Sequence, residues 1–133
     1  MKIEYDTKQP IYLQIMQNMI TRILRGEFKP GDKLPSWVDA GLEYGVNHNT
    51  IARVYMEMGR LSLVETRRGE GTFITQDKSA LLKCHESMKE ELLNKFFAEM
   101  QLLGYSPDEI FQSFEAYFRA KIQERLLNQE SLL

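Results

Sequence analysis

The stretch VNHNTIARVY gathers many hydrogen-bonding side chains at a point where the sequence pattern becomes helical. Asn47, His48, Asn49, Thr50 and Arg53 supply amide, imidazole, hydroxyl and guanidinium groups within one short segment. Three kinds of chemistry use such a set: acid–base or metal catalysis, capping of a helix, and hydrogen bonding to DNA bases. Amides pair with adenine and arginine pairs with guanine, whereas one asparagine at a helix start is accounted for by capping alone.

Catalysis finds little support in the remainder of the chain. The two histidines, His48 and His85, lie in different segments, and neither a phosphate-binding loop nor a metal-ligand spacing occurs. The single cysteine, Cys84, excludes an internal disulfide and a cysteine metal cluster. A metal site formed between subunits by Cys84, His85 and Glu86 is the remaining alternative. We therefore expect no enzyme activity, no cofactor and no metal.

The composition is that of a globular chain without a membrane span. The 133 residues are 43% hydrophobic and 27% charged, and the apolar runs are only a few residues long. The start, MKIEYDTKQP, has no apolar segment behind a basic head, so we expect no secretory signal and a cytoplasmic location. Residues 1–76 carry ten Lys/Arg and nine Asp/Glu, a net +1, whereas residues 77–133 carry seven and ten, a net −3. Binding to a polyanion must therefore rely on local patches of positive charge.

Two predicted helices precede the polar stretch. PIYLQIMQNMITRILRG repeats apolar residues every four positions, with Pro10 suited to the first helical position and Gly26 to the end. After a turn-rich connector, Ser36 caps a second, short helix through WVDAGLEY, which Gly45 ends. Gly41 lies inside that short helix, where a glycine costs roughly 1 kcal/mol relative to alanine.

The polar stretch opens a third helix, which a hairpin follows. Either Asn47 or Asn49 can cap this helix, which we predict over residues 50–61. Two helices joined by a short connection containing glycine form the helix-turn-helix layout. LSLVETRRGEGTFITQ then predicts two short strands around a glycine turn, with Arg67 and Arg68 at the tip. This order of elements predicts a winged helix-turn-helix domain, mainly α with a small β-hairpin.

Residues 77–133 predict a second, purely helical region. Apolar positions keep helical spacing up to Gly104, and Ser106 then opens another helix with Glu109 three residues later. A helical hairpin of about 55 residues is too small to enclose a core. Its apolar stripe must pack on the first domain, residues 1–76, or on the same hairpin of a second subunit, which we prefer because two-fold dimers dominate homo-oligomers. The predicted dimerisation residues are Leu92, Phe96, Met100, Leu103, Phe111, Phe114, Phe118 and Ile122.

Four separated blocks carry a family resemblance. PIYLQI, GEFKPGDKLPS, GVNHNTIARVY and TRRGEGTFI occur in this order over residues 9–76 and resemble the N-terminal domain of GntR-type bacterial transcription regulators. The short two-helix tail resembles the YtrA-type subfamily, whose C-terminal part is a dimerisation hairpin. The resemblance implies a homodimeric winged-helix repressor that binds a palindromic operator in double-stranded DNA, either of its own operon or of a transporter operon. The recognition helix of such proteins enters the major groove, and the wing hairpin reaches the neighbouring minor groove.

The resemblance also assigns DNA contacts to three places. These are the start of the recognition helix in the polar stretch, the arginine-tipped wing, and the front of the second helix, which faces phosphates. The alternative in each place is an ordinary structural role, namely helix capping for the asparagines and the serine, and a solvated surface for the charged side chains. The implied DNA-binding residues are Lys33, Ser36, Asn47, His48, Asn49, Thr50, Arg53, Arg67, Arg68, Gly69, Gly71 and Thr72.

Several residues depart from the family pattern. Val38 stands where the family has an arginine that contacts DNA, so we expect altered operator preference or weaker binding. The alternative function is a winged-helix protein-interaction module with weakened or lost DNA binding. The hairpin has little room for a small-molecule pocket within one subunit, so we assign no effector. The other departures are Ala40, Gly41, Gly59, Leu61 and Ser62, where leucine, alanine, acid, acid and glycine are usual.

Overall fold

The structure, a computed structural model, describes residues 3–131, with side chains up to residue 129. Within this range the chain forms five helices and one two-stranded antiparallel hairpin, which confirms the predicted fold class. Of these helices, none combines the length and the apolar character that crossing a lipid bilayer requires. The elements are α1 (Ile11–Leu24), α2 (Trp37–Tyr44), α3 (His48–Arg60), β1 (Val64–Arg67), β2 (Gly71–Ile74), α4 (Lys78–Leu102) and α5 (Pro107–Ser131).

The amino end of α1 is braced from within the helix. Pro10 occupies the N-cap position, one residue before the helix, and no side chain caps it. Instead, the side-chain amide of Gln14 forms hydrogen bonds with the backbone of the segment before α1. Its Oε1 accepts a hydrogen bond from the Asp6 N–H at 2.8 Å, and its Nε2 donates to the carbonyls of Asp6 and Gln9 at 2.7 and 3.0 Å. The first turn of α1 and the segment before it are therefore held together.

The short helix α2 has the predicted serine cap and glycine stop. The Ser36 Oγ accepts a hydrogen bond from the Asp39 N–H at 3.1 Å, and Gly45 ends the helix with a φ of +69°. Gly41, expected to weaken the helix, is required by packing, because a Cβ there would lie 2.9 Å from the Val46 carbonyl oxygen. The turn between α2 and α3 therefore packs directly on the backbone of α2.

Asn47, rather than Asn49, caps α3. Its Oδ1 accepts a hydrogen bond from the Asn49 N–H at 2.8 Å, and its carbonyl accepts one from the Thr50 N–H at 2.9 Å. The helix consequently begins at His48, two residues before the predicted start, and the polar stretch forms its first turn.

The carboxyl end of α3 leads into a serine with left-handed backbone. Ser62 has a φ of +61° and is the only non-glycine residue with a positive φ in the described range. The Leu63 N–H donates to the Met58 carbonyl at 2.9 Å, which is the bond pattern of a Schellman motif. Glycine adopts this conformation without steric cost, which accounts for the glycine that is usual at the position of Ser62.

β1 and β2 form the predicted hairpin, in which Val64 pairs with Ile74 at the base. The segment before α2 lies along β2. The Leu34 N–H donates to the Thr72 carbonyl, and the Ile74 N–H donates to the Asp32 carbonyl, both at 2.8 Å. These bonds attach the hairpin to the segment that enters α2, so the wing and the helix-turn-helix share one framework.

A single core joins these elements. The apolar faces of α1 and α3 pack together, and residues of the hairpin and of the first turns of α4 complete the cluster. Leu81 of α4 is 1% exposed, and Cys84 and Met88 are partly buried on the same cluster. The first compact unit therefore extends to Lys89, past the predicted boundary after Gln76. The largest fully buried side chains are Ile15, Met19, Ile20, Ile51, Val54, Met58, Leu63 and Leu81.

A partly buried arginine ties α1 to α2. Arg22 forms ion pairs with Glu27 and Glu43, each at 2.7 Å, and donates a hydrogen bond to the Tyr44 hydroxyl at 2.9 Å. The Tyr44 hydroxyl donates in turn to Asn18 Oδ1 at 2.8 Å. Burial disfavours the charge of Arg22, but the hydrogen bonds to Glu27 and Tyr44 outweigh it and raise the pKa of the guanidinium. This network holds the helix-turn-helix against the first helix.

The second compact unit contains the rest of α4, from Glu90, and all of α5. Gly104 has a φ of +94° between the helices. The predicted capping box is present: the Ser106 Oγ accepts from the Glu109 N–H at 3.2 Å, and the Glu109 carboxylate accepts from the Ser106 N–H at 3.0 Å. Among the described side chains of this unit only Ile110 is buried, so its apolar residues remain largely uncovered.

Candidate nucleic-acid interface

The first turn of α3 presents the polar stretch to solvent. Asn47, His48 and Asn49 are exposed, and Thr50 is half-buried. The Asn47 Oδ1 is occupied by the cap, whereas no hydrogen bond in the described range involves the side chains of His48 or Asn49. The polar atoms of these two side chains are therefore available for base edges, as readout in the major groove requires.

Arg53 extends this polar surface by one turn along α3. It is exposed and lies four residues after Asn49, hence on the same face of the helix. Its guanidinium carbon is 3.8 Å from the centroid of the Tyr12 ring in α1, which makes a cation–π contact. Among the described residues no carboxylate pairs with Arg53, so its charge is available to a phosphate or a guanine.

The wing arginine Arg67 lies along the hairpin. Its guanidinium carbon is 4.2 Å from the centroid of the Phe73 ring, and its Nη2 is 3.9 Å from the Glu65 carboxylate. Because the Glu65 side chain is 72% exposed and the pair is long, this carboxylate neutralises Arg67 only weakly. The ring restricts the direction of the arginine while its charge remains effective.

The outermost turn of the hairpin contains Arg68 and Gly69, both exposed. The Glu70 N–H donates to the Arg67 carbonyl at 2.9 Å, and Gly69 supplies the positive φ, +77°, that the turn requires. Within the described chain Arg68 makes neither an ion pair nor a ring contact. Its side chain is therefore less constrained than that of Arg67.

Lys33 lies beside the wing, and not only ahead of α2 as the sequence suggested. Its backbone pairs with Phe73 of β2, and its side chain crosses Gly71. A Cβ at Gly71 would lie 2.6 Å from the Lys33 Cε, which the flexible lysine could relieve by shifting, but the φ of +126° at Gly71 favours glycine in any case. The glycine therefore admits the lysine to the edge of the hairpin.

Thr72 is turned away from the surface. It is 7% exposed, and its Oγ1 lies 3.4 Å from the Thr66 Oγ1 across the hairpin. Its carbonyl accepts the hydrogen bond from Leu34. Thr72 therefore stabilises the wing and does not join the exposed set.

The front of α2 exposes apolar side chains. Trp37 is 50% exposed, Val38 58% and Leu42 79%, whereas the exposed Ser36 uses its Oγ for the cap. At the position where the family has arginine, this surface offers van der Waals contact without a positive charge. A phosphate there would lack its usual partner, so Val38 remains the residue for which we expect a changed operator preference.

Sequence reasoning did not identify Tyr12 and Phe73 as parts of this surface. Tyr12 lies in the apolar stripe of PIYLQI and Phe73 in a strand, so periodicity assigned both to packing. Their contacts with Arg53 and Arg67 depend on how separate segments approach one another. No pattern within one segment indicates such a contact.

Metal chemistry has no support in the described range. No group of three or more His, Cys, Asp or Glu among the described side chains, residues 3–129, is placed to hold a metal ion. His48 and His85 are both exposed and lie in different helices, α3 and α4.

The second unit carries an exposed aromatic face. The rings of Phe96 and Phe114 meet edge to face with centroids 6.3 Å apart, and those of Phe114 and Phe118 stack at 5.7 Å. Even so, Phe96 is 40%, Phe114 48% and Phe118 51% exposed. Of the other predicted dimerisation residues, Met100 is half-buried, and the exposed ones are Leu92, Leu103, Phe111 and Ile122.

An open apolar groove of about 830 Å³ runs along this face. We expected little room for a small-molecule pocket within one subunit, and this groove is open to solvent, because two helices alone do not cover the outer sides of their aromatic residues. The groove lies within the second unit and is lined mainly by Leu93, Phe96, Phe97, Met100, Phe111 and Phe114.

Comparison with known proteins connects these features to a family. Residues 11–74, which include the helix-turn-helix and the hairpin, match the profile described as bacterial regulatory proteins, gntR family. Over 114 residues the chain is 39% identical to the uncharacterized HTH-type transcriptional regulator YhcF of Bacillus subtilis, covering 86% of this chain and 94% of that protein. It is 33% identical over 112 residues to the HTH-type transcriptional repressor YtrA of the same organism, covering 84% and 86%.

A solved structure shows the same similarity. A GntR family transcriptional regulator from Listeria monocytogenes matches with a TM-score of 0.73 and 31% identity, over 84% of this chain and 98% of that one. These similarities cover more residues than the helix-turn-helix and hairpin contain, so they reach into the C-terminal helices.

Proposed function

This chain belongs to the GntR family of bacterial regulatory proteins and is a DNA-binding transcriptional regulator, and from this premise we propose that it is a homodimeric repressor of a palindromic operator. One observation supports the proposed reading surface, that is, the residues of α3 and of the wing that would contact DNA. The first turns of α3 expose the side chains of His48, Asn49 and Arg53, which make no hydrogen bond or ion pair to another described residue. Exposed polar groups at the start of a recognition helix are the means by which this motif contacts base edges.

The two parts of the reading surface have different tasks. His48, Asn49 and Arg53 enter the major groove, where amide and guanidinium groups distinguish the four base pairs. Arg67 and Arg68 reach the neighbouring minor groove on the glycine turn, since a narrow minor groove attracts arginine. The remaining residues of this surface are Lys33 and Ser36, which face phosphates, Asn47 and Thr50, which start α3, and Gly69 and Gly71, which shape the wing. Thr72 supports the wing from within.

The aromatic face of the second unit is the dimer interface in this proposal. Rings that are 40–51% exposed leave apolar surface in water, and covering it is favourable at about 25 cal/mol per Å². A second copy supplies a surface of the same chemistry, and two-fold closure buries the face on both subunits at once. The groove of about 830 Å³ is then filled by side chains of the partner subunit.

Dimerisation sets the geometry on DNA. Two copies of α3 related by a two-fold axis read half-sites one helical turn apart, roughly 34–36 Å along one face of the duplex. A protein bound in this way occludes a promoter that overlaps the operator. The relative YtrA is named a transcriptional repressor, which supports repression by this chain. We propose that the operator of this chain lies in its own operon or in a transporter operon. The bacterial cytoplasm, which holds the chromosome, is the corresponding location.

The test is selection of binding sites from a random-sequence DNA library, followed by mobility-shift titration over several salt concentrations. We expect an inverted repeat, a complex of two chains per duplex, and an affinity that falls steeply with salt because phosphates are contacted. Failure to select any sequence would contradict DNA reading. A single, unrepeated half-site bound by one chain would contradict the dimer.

A second candidate role is supported by the exposed Trp37 and Val38. An apolar surface at the front of α2 is suited to another protein, so the winged domain also has the chemistry of a weak interaction module. The same titration separates the two roles, because an interaction module without DNA reading gives no sequence preference.

A further inference from the structure

We propose that Tyr12 is a positioning residue for Arg53, whose guanidinium it holds ready for DNA on the outward face of α3. This inference rests on the proposed function, since Arg53 must itself contact the operator. The guanidinium carbon lies 3.8 Å from the centroid of the Tyr12 ring. Because Tyr12 belongs to α1, the first helix takes part in DNA reading although it lies outside the helix-turn-helix.

Tyr12 is itself held in place. It is half-buried against the core, and Ile15, one turn later on α1, is 0% exposed. The Gln14 amide braces the segment that precedes the helix through its hydrogen bonds to Asp6 and Gln9. The ring is therefore held partly by the packing of α1, whereas Arg53 is exposed and has the longer side chain.

Four other cation–π pairs in the described range, two of them formed by Arg22, show why this one is distinctive. Their cations are Arg22, Arg67 and Lys121, and each of them also has a carboxylate within 4.0 Å. Arg53 has the ring but no carboxylate partner among the described residues. Its charge is therefore oriented without being neutralised, which is the combination that binding to an anion or a guanine requires.

The physical effect is preorganisation. A solvated arginine samples many rotamers, and ordering it on DNA costs conformational entropy. A guanidinium above an aromatic face is attracted by the ring, yet its N–H groups at the edge remain free to donate hydrogen bonds. From the size of exposed cation–π contacts, we expect loss of the ring to weaken operator binding about two- to fivefold.

A double-mutant cycle tests this inference. The full chain, as wild type, Tyr12→Leu, Tyr12→Phe, Arg53→Ala and the Tyr12→Leu/Arg53→Ala double variant, is titrated by fluorescence polarisation against one duplex selected by the wild type from a random library. Tyr12→Leu should weaken binding about two- to fivefold, whereas Tyr12→Phe, which keeps the ring, should bind like the wild type. In the Arg53→Ala background Tyr12→Leu should have no further effect.

Other outcomes overturn the inference. A Tyr12→Leu loss that persists in the Arg53→Ala background means that Tyr12 acts through the fold or through its own DNA contact. Wild-type binding by Tyr12→Leu, with weakened binding by Arg53→Ala, removes the positioning role and leaves the proposed function intact. A wild-type chain that selects no DNA contradicts both. Thermal unfolding of each variant is measured alongside, and Tyr12→Met replaces Tyr12→Leu in the cycle if the leucine variant does not fold.

Discussion

The two compact units of this chain differ in what they bury. The first encloses a core in which Ile15, Ile51 and Met58 are all 0% exposed. The second buries Ile110 alone among its described side chains, and rings such as Phe114 remain half-exposed. The first unit therefore has a hydrophobic core of its own. The second unit leaves an apolar face exposed and needs a partner surface to cover it.

This difference separates two contributions to DNA binding. The groups that we propose to contact DNA belong to the first unit, so substitutions there should change the contacts made with one half-site. In the proposed dimer the second unit joins two half-sites, so substitutions there should change affinity without altering base preference. Each variant below is chosen to alter one unit while leaving the other intact.

The largest effect is expected from Phe114→Glu, at the centre of the aromatic face. A carboxylate in a closed interface lacks a partner, so the dimer should dissociate. Operator affinity should then fall about 100-fold or more, since joining two sites raises affinity by roughly 10² to 10⁴. Light scattering reports the mass, and polarisation reports the affinity.

Gln112→Glu is the matched control for Phe114→Glu. It adds the same charge to an exposed polar position of α5 that does not line the groove. We expect it to remain dimeric and to bind DNA normally. A Phe114→Glu protein that stays dimeric with full affinity would place the dimer contact elsewhere.

The complementary change in the first unit is Arg53→Ala. If Arg53 reads a guanine, the loss should be about 1–3 kcal/mol, with relaxed preference at one operator position and an unchanged dimer. Titration against duplexes varied at each position measures both effects. Arg60→Ala on the same helix is the control, because Arg60 already pairs with Glu57 at 3.0 Å, and it should lose less. Equal losses for the two variants would refute specific reading by Arg53.

Gly41→Ala tests the close approach of α2 to the turn that starts α3. The added Cβ would lie 2.9 Å from the Val46 carbonyl oxygen, so the free energy of unfolding should fall by about 1–3 kcal/mol. Gly59→Ala is the control on α3, since a Cβ there meets nothing within 4 Å. It should raise the free energy of unfolding by about 0.5–1 kcal/mol. Urea denaturation of both proteins decides, and a stabilised Gly41→Ala variant would contradict the packing argument.

How well the sequence predicts the fold depends on how far apart in the chain the interacting residues lie. Capping signals operate within three or four residues, so Ser36 and the Ser106–Glu109 box were predicted correctly. Two adjacent candidates, Asn47 and Asn49, could not be distinguished, because the choice depends on where the turn places the first helical N–H. The requirement for glycine at Gly41 was missed, since it comes from a contact with a different element.

The candidate site follows the same rule. The residue types at the start of α3 and at the tip of the hairpin suffice to propose a reading surface, because the motif fixes which turn faces outward. The aromatic partner of Arg53 and the position of Lys33 against Gly71 depend on packing between distant segments. Periodicity carries no information about such contacts, so they had to come from the structure.

Val38→Arg restores the charge that is usual at the front of α2. Because Val38 is 58% exposed, arginine fits without disturbing the core. One added phosphate contact should raise operator affinity severalfold at low salt and steepen the log–log salt dependence by about one unit. Val38→Gln, which adds length without charge, is the control and should show no steeper dependence. Weaker binding by Val38→Arg would instead indicate that the apolar side chain itself contacts the operator.

The smallest expected effect concerns two loop positions that follow a helix in the two units. Both take a positive φ, +61° at Ser62 and +94° at Gly104, but of these two positions only the one in the second unit is a glycine. Ser62→Gly should relieve strain of about 1–2 kcal/mol, partly offset by the freer unfolded chain, for a net gain near 0.5–1 kcal/mol. Gly104→Ser is the reciprocal change, and because a Cβ there meets nothing within 4 Å, a loss of stability reflects backbone strain without a steric clash. If the unfolding temperature rises for Ser62→Gly and falls for Gly104→Ser, the same preference for glycine at positive φ holds in both units. A lower unfolding temperature for Ser62→Gly would mean that the serine side chain contributes more than its strain costs.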